Sequence, residues 1–134
     1  MVAHHQLHLT PGARHRTVEL TGTSALAAAI AIHLQNLAHR FVLAPWIGVA
    51  SILFVTAATG AGWLLVRRDP RGWLVAGLAC LAAALAWVAG RTVGYPGATD
   101  DIGNWTEPLG LAAFCLETGM AALSAHQLRR LWGL

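Results

Sequence analysis

The chain has 134 residues, of which 56% are apolar and only 11% charged, with a formal charge of +3 and a pI near 9.7. A water-soluble domain carries about a quarter charged residues, so the composition excludes an ordinary soluble globule and names the lipid bilayer as a partner. The basic side chains are all arginine; set beside apolar runs, they suit anionic lipid heads and no nucleic acid.

Residues 1–19 are polar and punctuated, and they are expected to form a flexible cytoplasmic arm. His4, His5 and His8 have a spacing that holds a metal only loosely, and they read more simply as solvated tail residues. Residues 20–39, 41–66, 72–90 and 108–128 then carry no charged side chain except Glu117. A membrane-spanning helix needs about 20 mostly apolar residues, so the sequence predicts spans over about 20–40, 45–66, 72–92 and 108–130. The runs "ILFVTAATGAGWLLV" and "WLVAGLACLAAALAWVAG" lack the polar stripe that a soluble amphipathic helix shows.

The first span is read as retained rather than as a secretory leader. His33, Gln35 and Asn36 interrupt its apolar core, and no small-x-small cleavage pattern follows. Pro45 and Pro108 stand at span starts, where a missing N–H is harmless. In "RRDPRG", Pro70 forces Asp69 out of helical geometry and makes a tight turn. The small residues of "TAATGAG" would let a neighbouring helix approach closely. Cys80 and Cys115 fall inside spans, which is not a secreted disulfide framework. Residues 20–134 therefore read as one all-α domain, an integral membrane four-helix bundle.

Arginine placement sets the expected orientation. Arg14, Arg16, Arg67, Arg68, Arg71, Arg129 and Arg130 fall on one side of the predicted bundle. Arg40 and Arg91 fall on the other, with Asp100, Asp101 and Glu107. The richer side is expected to be cytoplasmic, which puts both termini inside a bacterial plasma membrane and the 91–108 connection outside.

Depth gathers the polar side chains. At about 1.5 Å of rise per residue, His33 lies roughly 9 Å and Glu117 roughly 12 Å below the outward ends of their spans. Asn36 and His39 sit nearer the rim, and Trp87 lies one turn below Arg91. The candidate cluster is thus His33, Asn36, His39, Arg91, Glu107 and Glu117, under an outer loop bearing Asp100, Asp101, Asn104 and Trp105. An ionisable group in hydrocarbon needs a partner. Depth allows Glu117 either His33 or Arg91, and closure of an up-down bundle favours His33. Arg91, at the membrane rim, is expected to clamp a carboxylate.

The stretch "GRTVGYPGATDDIGNWTEPLG" resembles a family of small four-span membrane proteins, mostly actinobacterial. They have a His-rich first helix, an "RTVGLP"-like segment, an acidic stretch ending in "EPLG", and a Glu in the fourth helix. The resemblance covers about residues 33–117, with His33, His39, Arg91, Thr92, Gly94, Pro96, Gly97, Glu107, Gly110 and Glu117 on matching positions. Tyr95 stands where Leu is usual. The resemblance implies the architecture and the site positions, and no activity.

Three readings of function follow. The first is an accessory or scaffold subunit, partnered by other membrane proteins or by a second copy of the chain. It is not an enzyme, since no Ser or Cys stands in a motif with a base. The second is a metal site with His33, His39 and Glu117 as ligands, closed from outside by Asp100, Asp101 or Glu107, with copper, zinc or iron as cofactor. Against it, His33 and His39 are six residues apart and point to different sides of a helix. The third is pigment or haem binding at His33, where Ala29 leaves room one turn earlier. Transport by the chain alone is disfavoured, as no span is broken and no repeated halves are visible.

Overall fold

The computed structural model describes residues 11–133, with side chains from residue 16 onward. His4, His5 and His8 lie outside the described residues. Among those described, the chain forms α1 (Pro11–Gln35), α2 (Leu37–Leu43), α3 (Pro45–Val66), α4 (Arg71–Thr92) and α5 (Pro108–Trp132). Four helices are long and apolar enough to cross a membrane, over Arg16–Gln35, Pro45–Val66, Arg71–Thr92 and Pro108–Trp132. They close into a ring in which α1 packs on α3 and α5, and α4 packs on the same two.

Two boundaries differ from expectation. Helix α1 starts at Pro11, so residues 11–19, expected in a flexible arm, are helical. Proline suits a first turn, and the hydroxyls of Thr21 and Thr23 donate back to the carbonyls of Thr17 and Glu19. The polar stretch thus satisfies itself within the helix. The span expected to reach residue 40 instead breaks at Asn36, where φ is −96° and ψ is 1°. Asparagine competes with helical hydrogen bonding, and its N–H reaches the Ile32 carbonyl at a long 3.3 Å. The short α2 then turns across the end of the bundle. The Phe41 ring lies over Gly48, where an added Cβ would come within 2.5 Å of it.

The α3–α4 turn follows the sequence reading. Arg68 takes the left-handed conformation (φ 60°), and the Asp69 carboxylate accepts the Arg71 N–H at 2.9 Å, starting α4. Here, at the arginine-rich end, the bundle is tightly packed. Leu26, Leu65, Trp73, Ala76, Cys80 and Met120 form a core, and small residues set the spacing. A Cβ at Gly22 would meet the Trp73 ring at 3.0 Å, and one at Gly77 would meet Ser124 at 2.9 Å. Of "TAATGAG", Ala58 and Ala61 turn into this core, while Thr56, Thr59 and Gly60 face outward.

The α4–α5 connection at the other end is ordered by its own backbone. Tyr95 and Ala98 exchange both hydrogen bonds at 2.9 Å, a tight turn that Gly97 permits with φ at 80°. The Gly103 N–H returns to the Arg91 carbonyl at 2.9 Å, folding the loop back over the end of α4. Glu107 then caps α5, accepting the N–H groups of Leu109 and Gly110 at 3.1 and 2.6 Å.

Candidate functional site

Beneath that loop the four helices do not close. They surround a cavity of about 560 Å³, walled on α3 and α4 by alanines and lined by His33, Arg40, Ser51, Arg91 and Glu117. Protein interiors are packed like crystals; the arginine-rich end leaves only about 120 Å³ beside Leu65, Trp73 and Gln127, so the loop end departs much further from that standard.

The expected His33–Glu117 pair is present. His33 Nε2 lies 2.8 Å from Glu117 Oε1, with the residues 6% and 2% exposed. The Phe54 ring stacks on the imidazole with centroids 4.2 Å apart, fixing its plane. Nδ1 is buried with no hydrogen-bond partner among the described residues. The contact joins Nε2 to Oε1 as a buried hydrogen bond, and neither residue can leave without stranding the other.

The expected Arg91 clamp is also present. Arg91, 6% exposed, lies 2.9 Å from Asp101 and 3.5 Å from Glu107. Its guanidinium also lies 5.0 Å from the Trp87 ring centre. Glu107 serves twice, as a helix cap and as an Arg91 partner, and so ties the start of α5 to the end of α4. Gly110 makes room for this arrangement: a Cβ there would overlap the Glu107 carboxylate and stand 2.7 Å from Trp87 Nε1. Trp105 closes the same corner edge-on to Trp87, with centroids 5.6 Å apart.

The remaining predicted residues are more dispersed. Asn36 lies at the α1–α2 break and lines the cavity mouth, and exposed His39 lines its rim. Asn104 and Asp100 are exposed on the loop, and the Asn104 amide donates weakly to Asp101 at 3.4 Å. The triad proposed as metal ligands does not assemble. Among the described residues no group of three or more His, Cys, Asp or Glu side chains is placed to hold a metal ion. His39 lies exposed on α2, beyond the break at Asn36, while His33 is buried on α1. The pigment reading meets a related obstacle, because the Nε2 that an axial ligand would present is turned to Glu117.

Sequence reasoning left Arg40, Ser51, Tyr95 and Trp46 out of the candidate cluster. Arg40 donates to the Ser51 hydroxyl at 3.0 Å, and that hydroxyl donates to the Ile47 carbonyl at 2.9 Å. The Tyr95 hydroxyl donates to the Ala86 carbonyl at 2.6 Å, and the Trp46 ring meets Tyr95 edge-on at 5.5 Å. Trp46 Nε1–H also donates to the Pro96 carbonyl at 3.1 Å, pinning the loop to α3. Burial pushes the Tyr95 phenol above its ordinary pKa, with Arg40 and Arg91 opposing that shift, so it remains a neutral donor. Two signals were available. Ser51 has the depth of His33 on its own span, and Tyr95 is the departure from the motif.

Comparison with protein-family models, curated proteins and solved structures returned no match. The chemistry of the site rests on the residues above.

Proposed function

We propose that this chain is a multi-pass protein of a bacterial plasma membrane, with both termini cytoplasmic, that binds a small molecule in the cavity at its loop end. The cavity carries the reading. A volume of about 560 Å³ falls within the range of ligand sites, about 300–1,000 Å³. Its apolar walls and few convergent polar groups are the usual make-up of such a site. A scaffold needs no such opening, since filling it with larger side chains would add packing energy. The arginine asymmetry supports the orientation. An accessory role in a larger assembly then means delivering or sensing the bound molecule.

Filling the cavity tests this. Ala83 is half-buried on the cavity wall, so Ala83→Phe should occupy the space with little strain. Wild-type protein extracted in mild detergent should carry a non-covalent adduct by native mass spectrometry, and Ala83→Phe should lose it while keeping its melting temperature. An equal adduct in both would place the molecule elsewhere on the surface.

A further inference from the structure

We infer that the cavity takes an acidic amphiphile, a molecule with a carboxylate or phosphate head on an alkyl tail, whose head is held by Arg40. This rests on the ligand-binding reading above and specifies the ligand's chemistry.

The charges within the site select the head group. Asp101 and Glu107 are engaged by Arg91, Glu107 also by two backbone N–H groups, and Glu117 by His33. Each of these acids is matched. Arg40 is not: among the described residues no carboxylate lies within 4.0 Å of it, and its recorded side-chain hydrogen bond goes to a neutral hydroxyl. A guanidinium has five N–H donors in a planar fork that fits a carboxylate or phosphate. Arg40 lines the cavity with most of those donors unspent. The Ser51 hydroxyl, itself anchored to Ile47, holds the fork in place. The acids facing the cavity each have a partner already, Asp101 and Glu107 sharing Arg91, whereas the Arg40 fork is largely open.

The walls select the tail. Leu53 on α3 is 65% exposed, and Ala82 and Ala86 on α4 are exposed as well, yet all three line the cavity. The cavity wall is therefore also the outer surface of the bundle at these positions. Between α3 and α4 the cavity opens sideways, where the small alanine side chains leave a gap towards hydrocarbon. A tail threaded through that gap runs along Leu53 and the alanines into the bilayer, with its head beneath the loop.

The test compares binding of palmitate, hexadecyl phosphate and hexadecanol to the purified protein, with acetate and inorganic phosphate as tail-less probes. Quenching of the cavity-lining Trp46 and Trp87 is the readout. The acidic chains should bind at least tenfold more tightly than the alcohol. Arg40→Gln should erase that preference, and Arg40→Lys should restore part of it. Equal binding of acid and alcohol in the wild type would overturn the Arg40 assignment and leave the ligand-binding reading standing. Binding of acetate or phosphate as tight as that of the chains would overturn the amphiphile in favour of a free anion. Failure of all five probes would overturn this inference, while the ligand-binding reading stands or falls on the native adduct and its loss in Ala83→Phe.

Discussion

Glu117→Leu should destabilise the detergent-solubilised protein by about 1–3 kcal/mol, and His33→Leu by a similar amount. Each change leaves the other partner, 6% or 2% exposed, without its buried hydrogen bond. His33 is held against Phe54 and Glu117 is 2% exposed, so neither can swing out to the surface. The double variant should cost less than the sum of the singles, because two apolar side chains of fitting size leave nothing stranded. The measurement is a double-mutant cycle on thermal or denaturant unfolding in one detergent. Plain additivity would mean that the 2.8 Å contact is not an energetic pair.

Arg91→Gln should have a comparable effect by a different route, costing about 2–3 kcal/mol through lost charged hydrogen bonds. Removing the guanidinium leaves Glu107 with only its two backbone N–H donors and frees Asp101, which holds the loop to α4. Arg40→Gln loses one hydrogen bond to a hydroxyl at a half-buried position and should cost less than about 1 kcal/mol. Unfolding midpoints of the two variants in parallel provide the check. Loop proteolysis adds a second readout: the connection at 94–107 should be cut sooner in Arg91→Gln than in Arg40→Gln. Equal midpoints and equal cutting would remove Arg91 from its place as the tie between α4 and α5.

Much of this architecture was legible because hydrocarbon imposes simple demands. Uncharged intervals of the right length gave the last three spans close to their ends, and Pro45, Pro70 and Pro108 marked three of the boundaries. Depth narrowed the partner of Glu117 to His33 or Arg91, and closure of an up-down bundle favoured His33. The first span was misjudged for a local reason. Hydropathy does not register the break at Asn36, beyond which α2 carries Arg40, 3.0 Å from the Ser51 hydroxyl. The cavity itself was not legible. Alanines such as Ala79 and Ala83 read as close-packing residues, and the sequence does not show that they also wall a space. Arg40 was visible as a charge but not as the unmatched one, because the matching depends on how the loop folds over Arg91.

The central claim, an open cavity with polar groups at one end of a bundle whose other end is more closely packed, is most directly tested by thiol labelling. In a Cys115→Ala background, Ala83→Cys places a thiol on the cavity wall, Leu78→Cys places one on an exposed apolar face, and native Cys80 serves as the packed control. With the protein in vesicles, a water-soluble methanethiosulfonate reagent should modify the thiol at position 83. Under the same conditions it should spare those at 78 and 80. A thiol at position 83 as inert as Cys80 would mean that the helices close at the loop end as they do at the other, and the account would fail there.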